Sequence, residues 1–264
     1  MTGHGHERYN KKKITLLCRK KADRLDKDRG LKDRNDKGVR SQERKTAPRQ
    51  GHRAAGQQNE RDTREKLLES AKKEFYEKGY MKASLRTICR NAGVTTGALY
   101  FFFQDKEDVL QNLVEEPLKG LMLLIQQHFA EEAENFTGPV RLDADNADIR
   151  AAKEIVRYLY RYHDIFLILL TKSQGSAYEN IISRLADFGV AHYRTLLMQG
   201  EGTKGFPRAD DFAINWMINV QINAFAHLLT HEPDVEKAVV YIKQIVVFLV
   251  SGWNGMFLDE IGTS

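Results

Sequence analysis

Side chains that can contact DNA lie close together between residues 95 and 101 of this 264-residue chain. Three of them carry hydroxyl groups, which can donate hydrogen bonds to phosphate oxygens. The others are small or apolar, so the backbone can approach base edges closely and touch thymine methyl groups. The pattern predicts a surface for double-stranded DNA. Its candidate residues are Thr95, Thr96, Gly97, Ala98, Tyr100 and Phe101.

Three further candidates flank this segment. Ser84, a predicted N-cap, and Arg86 lie at the start of the helix before it. Lys106 lies at the start of the helix after it. A basic side chain in such a position can reach a phosphate, which adds affinity without reading sequence. We therefore include Ser84, Arg86 and Lys106 in the predicted DNA-binding set.

Two short helices joined by a tight turn, over residues 84–103, must position these side chains. Gly93 permits the chain to reverse, and Thr95 can cap the second helix. Leu99 and Phe103 lie four residues apart and face inward, which leaves the opposite side of that helix to solvent. The spacing predicts a helix-turn-helix.

Helical periodicity continues on both sides of this motif. Asp62 and Glu65 form an N-cap signature for a first helix, which Gly79 is predicted to end. Asp105 begins a long helix after the motif, and Pro117 is predicted to kink it. The three helices that end at Phe103 form the predicted DNA-binding domain.

The second half of the chain is also predicted to be helical. A linker over residues 135–145 contains Gly and Pro, and Ser176 with Glu179 forms a capping box further on. No alternating strand pattern is found, so the predicted fold class is all-α, with an N-terminal three-helix domain and a C-terminal helical bundle. The predicted helices cover residues 146–163, 164–173, 176–199, 209–230 and 234–258.

Charge is distributed unevenly along the chain. Residues 1–60 carry 18 Lys and Arg against 8 Asp and Glu, whereas residues 107–264 carry 13 against 22. The basic segment has almost no apolar periodicity, so residues 1–60 are predicted to be disordered. The segment could be a DNA-binding arm, a solvated tail, or an upstream stretch translated from a misplaced start site.

Several classes of protein are disfavoured by the composition. No apolar run is long enough to span a membrane, and no apolar stretch follows the basic N-terminus as a secretory signal would require. Two cysteines are too few for a disulfide scaffold. A cytoplasmic, nucleoid-associated protein is expected.

No catalytic, cofactor or metal site is predicted. No pattern of nucleophile and base or of paired carboxylates can be argued, so the chain is not predicted to be an enzyme. His227 and His231 have the spacing of metal ligands on a helix, but no third ligand accompanies them. They are interpreted as structural histidines.

Residues 62–121 resemble the DNA-binding domain of the TetR family of bacterial transcriptional regulators. The resemblance rests on Ala92-Gly93-Val94, Gly97-x-Leu99-Tyr100, Phe103 and Lys106-Glu107, all in one register. It implies a three-helix DNA-binding domain, a helical ligand-sensing domain behind it, and a homodimer. Phe101 and Thr96 replace the His and the Lys or Arg that are common in the family, which removes two phosphate donors.

Three regions and one function follow from the pattern and the resemblance together. Residues 1–60 form the basic extension, residues 61–121 the DNA-binding domain, and residues 122–264 the domain for ligand binding and dimerisation. The expected function is a homodimeric repressor that a small molecule releases from a palindromic operator. The alternative is a non-specific binder of nucleic acid or anionic surfaces that acts through the basic extension.

Effector binding and dimerisation are assigned to the second domain. Phe166, Tyr193 and Trp216 are the candidate contacts for an unidentified small molecule. The dimer interface is expected on the last two helices, where wide apolar stripes could instead be the core of one protomer. The stripes consist of Ile214, Met217, Ile218, Gln221, Ile222, Phe225 and Leu228, and of Val239, Ile242, Ile245, Val246, Leu249 and Trp253.

Overall fold

The computed structural model describes residues 50–135, 146–199 and 210–258. Nine helices and no strand are found within these ranges, which confirms the all-α class. None of these helices is long and apolar enough to cross a membrane. In chain order they are α1 (Gln50–Lys82), α2 (Leu85–Ala92), α3 (Thr96–Phe102), α4 (Lys106–Asn135), α5 (Ala147–Arg161), α6 (His163–Thr171), α7 (Ile181–Gln199), α8 (Asp211–His231) and α9 (Val235–Leu258).

Helix α1 begins earlier than the capping pattern predicts. Asp62 lies inside the helix, where its carboxylate accepts a hydrogen bond from Gln58 Nε2 at 2.7 Å. The predicted N-cap is therefore wrong, and residues 50–60, which were assigned to the disordered extension, are helical. Extension of an anchored helix adds one hydrogen bond per residue fixed, so polar residues can join it. The predicted disorder of residues 1–49 lies outside the described residues.

Gly79 interrupts α1 close to its end, as predicted. Its φ of 74° and ψ of 162° are accessible to glycine and strongly disfavoured for other residues. Immediately after it, the Tyr80 N–H donates a hydrogen bond to the Lys172 carbonyl at 2.8 Å. The bend therefore brings the end of α1 against the turn that follows α6.

One continuous core joins the first four helices to α6 and α7. Leu67 and Phe75 on α1 are fully buried, whereas Leu68 is only partly buried. The inward face of α1 is thus centred on Leu67 and Phe75. Other members of this core include Ile88, Leu99, Phe103, Val109, Leu110, Phe166, Ile168 and Leu169.

Helix α4 runs from the DNA-binding domain into the C-terminal bundle. Pro117 lies inside it, and the Tyr158 hydroxyl of α5 donates a hydrogen bond to the Pro117 carbonyl at 3.1 Å. Gly120 makes this approach possible, because a Cβ atom there would lie 1.9 Å from the Tyr158 hydroxyl oxygen. A close packing of α4 on α5 follows from that one missing side chain.

The turn between α6 and α7 differs from the prediction. Helix α7 begins at Ile181, so Ser176 and Glu179 do not form a capping box at its start. The Ser176 hydroxyl donates to the Ser173 carbonyl, and Glu179 Oε2 accepts from the Gly175 N–H. Gly175 has a φ of 80°, and these local bonds stabilise a compact turn in place of a longer helix.

The apolar stripes of α8 and α9 face the interior of the protomer. Ile214 and Ile218 on α8 and Ile242 and Val246 on α9 are all less than a tenth exposed. The expectation that these stripes form the dimer interface is therefore wrong for the buried members, because other helices of the same chain already cover them. A different face of the two helices carries the large exposed apolar side chains Phe212, Trp216, Val240, Tyr241, Val247 and Phe248.

Candidate DNA-binding and ligand-binding sites

Two side-chain caps and one glycine set the geometry of the helix-turn-helix. Ser84 Oγ accepts a hydrogen bond from the Thr87 N–H at 3.5 Å, and Thr95 Oγ1 accepts one from the Ala98 N–H at 3.2 Å. Gly93 ends α2 in the left-handed conformation, with a φ of 70° and a ψ of 29°. The hydroxyls of Ser84 and Thr95 thus already act as caps.

Helix α3 presents one buried face and one exposed face. Leu99 is buried, as is Phe103 just after the helix, whereas Tyr100 is 59% exposed and Phe101 is 71% exposed. Thr96 and Gly97 are exposed as well. The structure therefore brings these four exposed residues onto a single solvent-facing surface, whereas Ala98 is half-buried.

The two basic candidates occupy different environments. Arg86 is exposed on α2. Lys106 instead directs its ammonium at the end of α1, where it donates to the carbonyls of Tyr80 at 2.7 Å, Met81 at 3.3 Å and Ala83 at 3.4 Å. The ammonium also lies 4.5 Å from the centre of the Tyr80 ring. Lys106 therefore fastens α4 to the carbonyl end of α1, a role that sequence spacing did not indicate.

A cavity of about 220 Å³ lies among helices α4 to α9. Its lining is mostly aliphatic and aromatic, as is typical of sites for small organic molecules. Phe166 and Tyr193, two of the predicted ligand contacts, line it. Trp216 does not, because it is 52% exposed on the outer face of α8, and Trp253 of α9 lines the cavity instead.

Polar residues gather at one part of the cavity wall, where His128, Glu132, Asp148 and Tyr193 line it. Together with His192, which contacts Glu132, we call them the polar cluster. Among the five, only Tyr193 is a ligand contact predicted from the sequence. His192 Nε2 lies 3.0 Å from Glu132 Oε2, and His128 Nε2 lies 3.5 Å from Asp148 Oδ1. Sequence spacing could not reveal this set, because it comes from three helices, α4, α5 and α7.

Burial shapes the acid–base behaviour of the cluster. Burial raises the pKa of the Asp148 carboxyl, Glu132 raises it further, and His128 opposes both effects. Burial together with the two neighbouring carboxylates raises the pKa of the Tyr193 phenol well above its usual range. Phe129 stacks on the His192 ring at a centroid distance of 3.8 Å, which fixes that ring beside Glu132.

Two hydrogen bonds connect the turn after α6 with the DNA-binding domain. The first is the bond from the Tyr80 N–H to the Lys172 carbonyl, and the second runs from the Ala177 N–H to Glu107 Oε1 at 3.0 Å. Helix α6 also supplies Phe166 and Leu169 to the cavity wall. A single short helix therefore contacts both the cavity and the support of the helix-turn-helix.

Comparison with known proteins bears on the N-terminal domain first. Residues 67–113 match the family model described as bacterial regulatory proteins, tetR family. This helix-turn-helix domain belongs to the TetR family. The chain is 33% identical over 108 residues to the HTH-type transcriptional repressor BepR of Brucella suis, across 41% of this chain and 49% of that protein. The chain thus spans about half the length of that relative.

Solved structures extend the TetR-type likeness across the fold. The TetR family transcriptional regulator PfmR of Thermus thermophilus has a TM-score of 0.52 at 21% identity, over 70% of this chain and 93% of that one. A transcriptional regulator of the TerR/AcrR family from Aquifex aeolicus has a TM-score of 0.50 at 20% identity, over 71% and 99%. At these identities the likeness shows a shared fold.

No three His, Cys, Asp or Glu side chains within the described ranges are arranged to hold a metal ion. His227 and His231 stack with ring centroids 4.0 Å apart and are both exposed on α8. The TetR-type fold therefore offers two candidate sites, the outer face of α3 and the cavity.

Proposed function

We propose that this protein is a homodimeric transcriptional repressor, cytoplasmic and nucleoid-associated, that a small molecule releases from a palindromic operator. The observation that carries the proposal is the exposed face of α3, where Tyr100 and Phe101 project from a capped helix on a fully packed core. Similarity of the N-terminal domain to named transcriptional regulators supports it. In the proposed mechanism, a ligand in the cavity weakens DNA binding by that face.

In the proposed complex, α3 enters the major groove and α2 crosses the backbone. Phe101, Ala98 and the Thr96 methyl contact thymine methyl groups, while the Thr96 and Tyr100 hydroxyls donate to phosphates or bases. Arg86 contributes a phosphate contact. The hydroxyls of Ser84 and Thr95 stay with their helix caps, and their backbone amides hold the register of the motif.

The proposed dimer surface is the exposed face of α8 and α9. It carries six large apolar side chains, more than a solvated helix pair needs. Gly252 and Gly255 on α9 have open space where a Cβ would lie, so a second helix can approach there closely. Because a twofold axis pairs the same face of both protomers, the dimer buries each of these side chains in both protomers. The surface consists of Phe212, Trp216, Val240, Tyr241, Val247 and Phe248.

We propose that α6 carries the ligand signal to the DNA-binding domain together with α4. A ligand in the cavity presses on Phe166 and Leu169, and α6 ends at the Lys172 carbonyl that holds Tyr80. A ligand that binds the displaced arrangement better shifts the population toward it. The separation of the two α3 helices in the dimer then no longer matches the half-site spacing of the operator.

Fluorescence anisotropy tests the DNA-binding step. The full chain is titrated onto a duplex from upstream of its own gene and onto a shuffled duplex at about 150 mM salt, which limits non-specific binding. We expect a preference of about 10³ or more for the native duplex. Phe101→Ala should reduce affinity for that duplex by about tenfold or more, since it removes an apolar base contact. Leu123→Ala, exposed on α4, is the matched control and should bind as the parent does.

One observation favours a second candidate function, the non-specific binder. It is the excess of 18 basic over 8 acidic residues in the first 60 positions. That candidate predicts equal binding to both duplexes and loss of binding when residues 1–49 are deleted. A preference for the native duplex that survives the deletion would instead support sequence recognition by α3.

A further inference from the structure

The cavity has a chemical bias that goes beyond the existence of an effector. Among the described residues that line it are two carboxylates, Glu132 and Asp148, and no lysine or arginine. Both carboxylates are largely buried, with side chains 10% and 21% exposed. A buried carboxylate without a full positive partner is costly, and an incoming positive charge removes that cost.

A second observation comes from His128. It lines the cavity, its side chain is 11% exposed, and its Nδ1 is buried without a hydrogen-bond partner. Its other ring nitrogen faces Asp148 at 3.5 Å. If Nε2 carries the proton toward that carboxylate, Nδ1 is a lone-pair acceptor that only a donor can satisfy. Buried polar atoms are rarely left in this state, so the protein alone does not satisfy every polar atom of the cluster.

Around the polar cluster, the cavity wall consists mostly of apolar side chains. Leu121, Ile125 and Phe129 of α4 and Phe188 of α7 belong to it, and Gln221 of α8 is an uncharged polar member. A ligand that fits must therefore combine an apolar body with one compact polar head. An anionic head would face two carboxylates, and an alcohol would supply a donor but no charge.

Resting on the proposed effector site, we propose that the effector is an apolar molecule with a protonated amine, whose N–H groups bind Glu132 and Asp148. Glu132 already pairs with His192 Nε2 at 3.0 Å, and a carboxylate has room for about four hydrogen bonds, so it can accept the ammonium as well. Asp148 completes the pair from α5. Burial raises the pKa of the Asp148 carboxyl because it disfavours the charged form, and a bound cation then offsets that cost.

Isothermal titration calorimetry on the full chain tests this with three probes that differ only in the head group: decylamine, decanol and decanoate. The amine should bind at least about tenfold more tightly than the alcohol, because charge-assisted hydrogen bonds are about twice as strong as neutral ones. Decanoate should bind least. Equal or tighter binding of decanoate, or no binding by any of the three, overturns the proposal without requiring any variant.

Variants then test the residues. Glu132→Gln with Asp148→Asn keeps the shapes and removes both charges, so the preference for the amine over the alcohol should fall by about tenfold or more. Glu131→Gln, exposed one position away on α4, is the matched control and should keep it. A preference unchanged in the double variant overturns the assignment. Amine binding without release of the DNA complex would leave this inference standing and refute the release step of the proposed function.

Discussion

Phe248 and Ile242 on α9 offer a direct test of which face of the helix associates with a second protomer. Phe248 is 73% exposed, whereas Ile242 is fully buried. Replacing Phe248 by Ala removes roughly 150 Å² of ring surface, of which about 110 Å² is free to be covered by a partner. A twofold interface contains the residue twice, so about 220 Å² is lost, worth ~5 kcal/mol at ~25 cal/mol per Å².

Such a loss corresponds to an increase of about 10³-fold or more in the dimer dissociation constant. Sedimentation velocity over a concentration series measures it directly. The free energy of unfolding of the monomer should hardly change, since Phe248 contributes little burial within the protomer. Ile242→Ala should show the opposite pattern, with a loss of about 2–5 kcal/mol in stability because it opens a cavity in the core.

Leu123→Ala is the control for a general effect of removing exposed apolar surface, because Leu123 is 55% exposed on α4, a helix that is not part of the proposed surface. It should leave the dissociation constant unchanged. An unchanged constant for Phe248→Ala, or an equal change for Leu123→Ala, would refute the placement of the dimer surface on this face of α8 and α9.

Three further predictions concern packing and charge within the protomer. Gly120→Ala should lower the free energy of unfolding by about 1–3 kcal/mol in urea titrations, because the new Cβ would clash with Tyr158. Adding Tyr158→Ala to Gly120→Ala should recover part of that loss. Lys106→Ala should cost about 1–3 kcal/mol of stability in the same assay, because the Tyr80 carbonyl and its neighbours lose a charged donor. Reduced DNA affinity with unchanged stability would instead indicate that Lys106 contacts a phosphate. Asp148→Asn should stabilise the protein at neutral pH, because folding raises the pKa of this carboxyl and its ionised form therefore opposes folding above the unfolded-state pKa. The gain in the free energy of unfolding should vanish below about pH 4, where the carboxyl is protonated in both states. A gain that persists there would contradict the raised pKa.

The helix-turn-helix was predictable because its determinants are local. Gly93 and Thr95 act on backbone atoms within three residues of themselves, and both behave as predicted. Leu99 and Phe103 are buried as their spacing requires. The capping rule failed where an existing helix extends further: Asp62 carries a cap signature but lies within a helix that continues past it in both directions.

The remainder of the candidate sites depends on contacts that sequence periodicity does not encode. An apolar stripe on α9 indicates that one face is buried, but not whether the same chain or a second copy buries it, and Ile242 proved to be interior. The polar cluster joins Glu132 to Tyr193 across 60 residues of chain. Lys106 has the position of a phosphate contact in sequence, yet it donates to three carbonyls at the end of α1 and just after it.

The bond from the Tyr80 N–H to the Lys172 carbonyl has a consequence for protein engineering. A hybrid sensor that joins residues 61–121 of this chain to a foreign effector domain would separate these two groups, which lie on opposite sides of the junction. The Glu107 carboxylate would lose the Ala177 N–H in the same exchange. A responsive hybrid must therefore import the segment from α6 through residue 177, or a substitute that presents one carbonyl and one amide in the same places. The portable unit is the helix-turn-helix together with that distant turn.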